Sequence, residues 1–551
     1  MHPEEGRPVL LGVVASSTSL MKRLLLGRPF RSDRLKHTLL PKRIALPVFA
    51  SDALSSVAYA PDEILLTLSI AGASALTISP WIGLAVAVVM LTVVASYRQN
   101  VHAYPSGGGD YEVATVNLGP RFGVAVASAL LVDYVLTVAV STASGVANLG
   151  SVVPWVATHK VAIAIIAIAV LTAMILRGIR ESGALFAIPT YGFMIVMIGM
   201  VLTGFFKMFV VGDNLRAPSA DLVVHAEHTN MTGAAMAFLL LRTFSSGCAA
   251  LTGVEAISNG VPAFKEPKSK NAATTLLLLG TISITMLLGI ILLANRTGLK
   301  FVEDPSQIES GPANYVQKTV TTQLGQTVFG AGSIMLYVVA VITALILFLA
   351  ANTAFNGFPV LGSILAQDRY LPRQLHTRGD RLAFSNGIIL LALAAMVLIV
   401  GFHGEVTRLI QLYIVGVFVS FTLSQAGMIR HWNRLLRTVR DRQARVRMIR
   451  SRTINMIGLT LTGAVLIVVL ITKFLLGAYI AIIAMIVIYF LMVGIKKHYD
   501  TVARELAPTE DRPVLPARNH AVVLVSKVHR DRKSTRLNSS HVLRSRMPSS
   551  A

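Results

Sequence analysis

Long apolar stretches alternate with short polar loops from residue 44 to about residue 495 of this 551-residue chain. The stretches approach or exceed the length that a helix needs to cross roughly 30 Å of hydrocarbon. The pattern therefore predicts an all-α integral membrane protein with about twelve transmembrane helices. In chain order we place these spans at residues 44–71, 81–96, 122–150, 161–178, 185–206, 235–261, 273–294, 326–356, 385–401, 407–428, 454–473 and 477–495.

The first and sixth spans differ from the others because small and polar residues cluster near their middle. The first reads Ser-Asp-Ala-Leu-Ser-Ser over residues 51–56, and the sixth is rich in Ser, Gly and Thr over residues 245–253. Such residues compete with or weaken helical hydrogen bonds, and a backbone that opens at membrane depth has to line a cavity. Broken helices at positions one and six are what a five-plus-five inverted repeat produces, with substrate bound between the breaks.

The carboxylates of Asp52, Asp133 and Glu255 lie inside these apolar spans. A charge at the bilayer centre costs about 2.5–3.5 kcal/mol even on lenient scales, so such groups usually face a cavity and act there. Each acid has hydroxyl or amide side chains at helical spacing on the same face of its helix. The stripes are Asp52 with Ser56 and Tyr59, Asp133 with Thr137 and Ser141, and Glu255 with Thr252 and Asn259.

The side chains of these stripes are candidate ligands for a hard cation, which prefers carboxylate, hydroxyl and carbonyl oxygens. Carbonyl groups freed at an unwound break would add to them, at the negative end of a half-helix dipole. Divalent ions also take oxygen ligands, so the ion's identity stays open. The spans hold no cluster of His or Cys at ligand spacing, which argues against zinc, copper or nickel. The surplus of acids over one monovalent charge suggests cation uptake coupled to a proton.

Composition and charge agree with a membrane protein. Hydrophobic residues make up 54% of the chain, charged residues 14%, and the mean hydropathy is +0.65. The net charge of +23 is concentrated in alternate loops, which indicates membrane topology and contact with anionic lipid rather than nucleic-acid binding. By the positive-inside rule, the even-numbered loops and both termini are cytoplasmic. A single cysteine, Cys248, excludes an internal disulfide.

Five segments carry a resemblance to a known family, namely Ser51–Tyr59, Tyr97–Gln99, Tyr104–Gly109, Leu131–Tyr134 and Ser246–Asn259. From about residue 40 to about residue 505 the chain resembles the KimA-type potassium importers of the amino acid, polyamine and organocation superfamily. The resemblance implies a LeuT-like fold and high-affinity potassium and proton symport in a bacterial plasma membrane. It also implies a homodimer whose cytoplasmic C-terminal domains pair.

The resemblance further implies a set of site residues. By the family pattern they are Asp52, Tyr59, Asp133, Tyr134, Thr137, Ser141, Thr252, Glu255 and Tyr413. Among these we expect four to hold the potassium ion directly, namely Asp52, Thr137, Ser141 and Thr252. We assign Glu255 as the proton-linked acid. Potassium and the proton are transported species, and no cofactor is expected.

The chain is predicted to have four parts. They are a basic cytoplasmic segment at 1–43, the transporter core at 44–495, a linker with the truncated start of a cytoplasmic domain at 496–530, and a non-native or disordered tail at 531–551. The stretch His520–Val525 has the pattern of a first strand. The Ser- and Arg-rich string that follows has no apolar period with which to bury a core.

The main alternative function is a proton-coupled amino-acid or polyamine permease of the same superfamily. Such permeases typically place a glycine-rich break in span one, whose amides can hold a carboxylate, whereas Asp52 would repel an anion and attract a cation. A channel would need a repeated filter loop such as Thr-Val-Gly-Tyr-Gly, and ATP-driven transport would need a phosphate-binding loop. The sequence contains neither, and its tail is too short for the signalling domain of a membrane sensor.

Overall fold

The computed structural model describes residues 39–107, 109–177, 183–224, 233–302, 316–376 and 385–505. These residues form sixteen α-helices with short 3₁₀ and π turns, which confirms the predicted all-α class. The helices are α1 Lys42–Ser69, α2 Ser79–Ala103, α3 Gly109–Asn117, α4 Pro120–Gly150, α5 Pro154–Thr158, α6 Lys160–Leu176, α7 Gly183–Phe206, α8 Ala234–Gly247, α9 Glu255–Asn259, α10 Lys268–Arg296, α11 Val320–Phe329, α12 Ile334–Gln367, α13 Ser385–Gly401, α14 Val406–Thr438, α15 Arg442–Lys473 and α16 Ala478–Glu505.

Ten helical segments of this described part are long and apolar enough to cross a membrane. They comprise α1, α2 with its preceding turn, α4, α7, α8 continued through α9, α10, α12, α14, α15 and α16. Two shorter apolar helices, α6 and α13, have 17 residues each and coincide with the fourth and ninth predicted spans. The twelve segments follow the order of the twelve predicted runs, and a count of twelve crossings stays a prediction.

The eighth predicted span, residues 326–356, begins too early. The structure divides this region into α11, which ends at Phe329, and α12, which begins at Ile334. Gly330 and Gly332 lie between them with φ of 94° and 76°, a left-handed conformation that ends the helix and that glycine adopts without steric cost. The apolar run continues across this turn, so hydropathy alone merges two helices.

The helices pack with α1 and α4 at the centre, where both are almost wholly buried, and with α15 and α16 at the periphery. Four helix contacts join segments that are five places apart in the order of apolar segments. They are α1 with α8, α2 with α10, α4 with α12, and α6 with α13. The first and sixth, second and seventh, third and eighth, and fourth and ninth apolar segments are therefore neighbours.

The predicted break in the first span is wrong, because α1 is a continuous helix from Lys42 to Ser69. Its polar residues hydrogen-bond within the helix instead of opening it. The hydroxyls of Ser55 and Ser56 both donate to the backbone carbonyl of Asp52, at 2.7 and 3.1 Å. Serine commonly sits inside a helix in this way, and the back-bonding satisfies both hydroxyls without unwinding the helix.

The predicted break in the sixth span is confirmed. Helix α8 ends at Gly247, a 3₁₀ turn covers Cys248–Leu251, and Thr252 is extended with ψ of 146°. Gly253 follows with φ of 84°, and α9 begins at Glu255. The interruption is buried, so its backbone groups are turned towards the interior of the bundle rather than towards lipid.

Most of the three predicted terminal parts lies outside the described residues. The described residues begin at 39, within the 1–43 segment, and end at 505, within the 496–530 segment. The proposed strand at 520–525 and the tail at 531–551 are both beyond it. Residues 496–505, which the sequence analysis assigns to a linker, continue α16 as a helix.

Candidate ion site

The carboxylate of Asp52 lies directly against the non-helical backbone that interrupts the sixth span. A Cβ atom added at Gly253 would be 2.7 Å from Asp52 Cγ, 2.8 Å from Asp52 Oδ2 and 2.6 Å from the Ala53 nitrogen. Only a glycine allows α1 to approach this closely, and its φ of 84° is strained for any other residue. The close approach puts a buried carboxyl group beside the interrupted backbone, where it could act on a desolvated cation.

A cluster of three hydroxyls lies next to this contact and joins α1 to the break. Ser56 Oγ is 2.7 Å from Thr252 Oγ1 and 2.9 Å from Tyr59 OH, and Tyr59 OH is 3.3 Å from Thr252 Oγ1. Thr252 also donates to the carbonyl of Ala249, at 2.9 Å, which anchors it in the turn before the break. The polar residues predicted on one face of α1 therefore hydrogen-bond to those predicted in the sixth span, through the hydroxyls of Ser56, Tyr59 and Thr252.

The third predicted stripe reaches the same region from α4. Thr137 Oγ1 donates to Tyr413 OH on α14 at 2.9 Å, and Asn259 Nδ2 on α9 donates to Tyr134 OH at 3.2 Å. Tyr413 is within electrostatic range of Asp52, Asp133 and Glu255. The hydroxyls of α4 and α14 thus lie in the neighbourhood of the acids of α1, α4 and α9.

The three acids are buried in the protein interior, with Asp52, Asp133 and Glu255 only 5%, 1% and 4% exposed. Asp133 is within electrostatic range of Glu255 and Asp52, and Glu255 is within range of Asp52. One carboxylate oxygen of each acid is buried without a hydrogen-bond partner among the described residues, namely Asp52 Oδ1, Asp133 Oδ1 and Glu255 Oε2. Unpaired buried acceptors are costly, and a cation or a proton would satisfy them.

The acids do not converge on a single point. Among the residues that the structure describes, no group of three His, Cys, Asp or Glu side chains is close enough to hold one metal ion. A bound cation would therefore combine one or two carboxylates with neutral oxygens. Such a mixture of few charges and many neutral oxygens suits a hard monovalent cation.

Eight of the nine predicted site residues are linked in the structure, either by hydrogen bonds or because they lie close enough for electrostatic interaction. They are Asp52, Tyr59, Asp133, Tyr134, Thr137, Thr252, Glu255 and Tyr413. Ser141 is buried on α4 one turn beyond Thr137. It lies outside the hydrogen bonds that join the others.

Sequence reasoning missed a fourth buried acid close to this site. Asp110, at the start of α3, is within electrostatic range of Glu255, and its Oδ2 accepts hydrogen bonds from Tyr97 and Ser420. The available signal is its position directly after the glycine triplet 107–109, which entered the sequence analysis only through a family resemblance. Asp110 lies between the second and third predicted spans, so a search for acids inside apolar runs passes over it.

Comparison with known proteins identifies the family. Residues 49–497, most of the chain, match the amino acid permease family. The chain belongs to that family. It is also 38% identical, over 521 aligned residues, to the protein named potassium transporter KimA of Bacillus subtilis (strain 168). The alignment covers 92% of this chain and 80% of that relative.

Membership in the amino acid permease family makes the chain a transporter rather than an enzyme. It also agrees with the apolar helices of the structure, which together with the family indicate a multi-pass membrane protein. The predicted resemblance to the KimA type is confirmed by the relative at 38% identity.

Proposed function

We propose that this permease takes up potassium together with protons across a bacterial plasma membrane. The observation that carries the proposal is the set of unpaired carboxylate oxygens on Asp52, Asp133 and Glu255, buried beside the hydroxyls of Tyr59, Thr252 and other residues. The name of the Bacillus relative supports potassium as the cation. Potassium would exchange its hydration shell for these oxygens.

The ion would bind mainly between α1 and the break in the sixth span. Asp52 supplies the charge that faces Gly253, and Thr252 supplies a hydroxyl from the break itself. Because α1 is continuous, only the sixth span contributes an interrupted backbone. Backbone carbonyls would therefore come from the sixth span alone. On α1, the Asp52 carboxylate would take the place of the carbonyl ligands that a second broken helix would have supplied.

The helix arrangement supports a LeuT-like five-plus-five inverted repeat. Segments five places apart in the chain are neighbours, as noted for α1 and α8, α2 and α10, α4 and α12, and α6 and α13. Two of the non-spanning helices have the same spacing, since α3 follows the second apolar segment and α11 follows the seventh. Relative movement of two such halves around a central site would give alternating access.

The topology and assembly that belong to this proposal follow from charge and resemblance. Basic residues in alternate loops favour cytoplasmic termini. A homodimer is proposed from the resemblance to the KimA type.

An amino-acid or polyamine permease is the second candidate, and the family name favours it. The site argues against an amino acid, because Asp52 occupies the position beside the break where a substrate carboxylate would lie. A cationic polyamine would meet no such repulsion. It would need room for several methylene groups beside the acids.

Growth and uptake in one strain would separate these candidates. A bacterium that lacks its own potassium importers should grow at micromolar potassium when it expresses this protein, and rubidium uptake should be competed by potassium. Uptake of amino acids and of spermidine, measured in parallel, should stay at the level of the empty vector. Spermidine or amino-acid uptake without growth rescue would overturn the potassium proposal.

Glu255→Gln tests the proton-linked acid. The amide has nearly the same shape as the carboxyl group but cannot exchange a proton, so rubidium uptake should lose most of its dependence on external pH. We expect the ratio of rates in acidic and alkaline buffer to fall to about one, because the proton no longer binds and leaves. Glu112→Gln, on the surface of α3 where Glu112 accepts from Ser106, is the control. An unchanged pH profile in Glu255→Gln would exclude this role.

A further inference from the structure

Asp110 is a buried acid that the proposed ion site does not use. It is 1% exposed, and its Oδ2 accepts hydrogen bonds from Tyr97 OH at 2.5 Å and from Ser420 Oγ at 2.7 Å. Ser424 is a further hydroxyl neighbour. Its second oxygen, Oδ1, is buried without a partner in the described part of the chain. A neutral acceptor would be enough to accept the two hydrogen bonds from Tyr97 and Ser420. A carboxyl group with a second, unpaired oxygen is therefore not explained by these hydrogen bonds alone.

Glycine brings Asp110 close to Glu255. A Cβ atom at Gly109, the residue before Asp110, would be 1.7 Å from Asn259 Oδ1, and Gly109 has φ of 54°. Helix α3 therefore begins in direct contact with the end of α9, the short helix that begins with Glu255. Asp110 and Glu255 are within electrostatic range of each other, and Tyr97 is within range of both.

A row of polar residues leads from Asp110 away from the ion site. On α14, Tyr413, Ser420, Ser424 and His431 are spaced by 7, 4 and 7 residues, which places them within about 20° of Tyr413 on one face of the helix. At a rise of about 1.5 Å per residue, this face runs for roughly 27 Å from Tyr413 to His431. The end at His431 lies beside Arg430 and Arg434, in a segment whose positive charge assigns it to the cytoplasm.

Helix α2 presents a matching row to these residues. Asn100 Nδ2 donates to Ser424 Oγ at 3.2 Å, and Tyr104 OH is 3.1 Å from His431 Nδ1. Asn100 Oδ1, like Asp110 Oδ1, is buried with no partner among the described residues. We call these residues the polar file. It consists of Tyr97, Asn100 and Tyr104 on α2 and its C-terminal end, Asp110 on α3, and Ser420, Ser424 and His431 on α14.

We propose that Asp110 receives the transported proton from Glu255 and releases it to the cytoplasm along the polar file. This inference rests on the proposed potassium and proton symport. In the transfer, the Glu255 carboxyl gives up its proton and becomes a carboxylate, while the Asp110 carboxylate becomes a carboxyl group. Tyr97 can mediate the step by donating its hydroxyl proton to Asp110 Oδ2 as it accepts the one from Glu255. The Asp110 carboxyl then gives its proton to the polar file and becomes a carboxylate again. Each group of the file accepts one proton as it gives up another, and water takes up a proton at the His431 end, on the cytoplasmic side.

The surroundings of Asp110 suit a group that changes charge. Burial raises the pKa of the Asp110 carboxyl, and the hydrogen bonds from Tyr97, Ser420 and Ser424 act in the opposite direction. The titratable groups facing it are Tyr97 from α2 and Glu255 from α9. Helix α4 contributes Asp133, which is within range of Tyr97, and α14 contributes only hydroxyls at this level.

Asp110→Asn provides the test, because the amide still accepts hydrogen bonds but cannot carry the proton. In proteoliposomes with a pH-sensitive dye inside, potassium-driven proton flux and net rubidium uptake should each fall at least tenfold. Exchange of external rubidium for internal potassium should stay within about twofold of the wild type, since exchange requires no net proton release. Asp110→Glu should restore proton flux in part. Glu112→Gln, two residues further on α3, is the matched control and should behave like the wild type.

The possible results separate the proton relay through Asp110 from the symport proposal on which it rests. Wild-type proton flux in Asp110→Asn would overturn the relay and leave the symport proposal intact. Loss of rubidium exchange together with net uptake would show that Asp110 is structural, and would also overturn the relay. Wild-type protein that moves potassium without protons would refute the symport proposal itself. Should Asp110→Asn fail to accumulate, Tyr97→Phe gives the same comparison, with slowed proton flux and preserved exchange expected.

Discussion

Replacing Asp52 by Asn is expected to reduce cation uptake at least about 100-fold while the protein still folds and reaches the membrane. The amide keeps the shape of the side chain beside Gly253 but removes the negative charge. Two unit charges about 4 Å apart interact by about 4 kcal/mol at an effective dielectric constant of about 20. Since about 1.4 kcal/mol corresponds to a factor of ten in affinity, losing this attraction removes most of the binding.

Rubidium uptake by cells or proteoliposomes, with protein quantified in the membrane fraction, measures this effect. Asp62→Asn is the matched control because it makes the same substitution on the same helix, ten residues away. Asp62 Oδ1 accepts from the backbone nitrogen of Val320 at 3.1 Å, and the oxygen of Asn can accept the same hydrogen bond. We expect its uptake to stay within about twofold of the wild type. Uptake at the wild-type rate in Asp52→Asn would exclude Asp52 from the ion site.

Replacing Gly253 by Ala is expected to give the second large effect, a loss of uptake of at least about 30-fold with a measurable loss of thermal stability. The added Cβ would overlap the Ala53 nitrogen and the Asp52 carboxylate, at 2.6 to 2.8 Å. The left-handed conformation of this residue costs a non-glycine side chain about 1–2 kcal/mol, and overpacking adds about 1–3 kcal/mol. Relief of these clashes requires α1 and the break to separate, which moves the charge away from Thr252.

Gly199→Ala is the control for this substitution. Gly199 lies within α7, where an added Cβ atom would meet nothing within 4 Å from the other described elements, and it has no positive φ. Alanine there should leave uptake unchanged and stabilise the helix slightly, by about 0.5–1 kcal/mol. The melting temperature in detergent and rubidium uptake report both quantities. If Gly253→Ala transported like Gly199→Ala, the close contact between Asp52 and the break would have no role in transport.

Much of the site can be predicted from the sequence alone. Acids inside apolar runs are rare, and Asp52, Asp133 and Glu255 stand out because each has hydroxyl or amide neighbours at helical spacing. The structure buries all three and joins their stripes through contacts such as Ser56 with Thr252. These acids can be selected from the sequence because a charge at membrane depth is costly, so an acid without a function is rarely found there.

Other features depend on contacts that local sequence cannot show. A serine-rich stretch can open a helix or bond back to it, and only the hydrogen bonds of Ser55 and Ser56 to the Asp52 carbonyl show that α1 stays continuous. Whether Ser141 takes part in the site together with Thr137 likewise depends on which side chains pack next to it in the folded protein. The two predicted breaks have the same polar character in the sequence, and packing decides that only the one in the sixth span exists.

The sequence by itself determined the helical membrane class, the order of the apolar segments and the acids around which the site is built, because hydrophobic length and the cost of buried charge act locally. The tertiary structure alone decided that Asp52 faces Gly253 and that Asp110 lies near Glu255. Both arrangements require a position without a side chain: the Ala53 nitrogen and the Asp52 carboxylate lie where a Cβ of residue 253 would be, and the Asn259 side chain lies where a Cβ of residue 109 would be. A glycine in a sequence permits such an approach, but only the folded neighbour, distant in the chain, makes use of it.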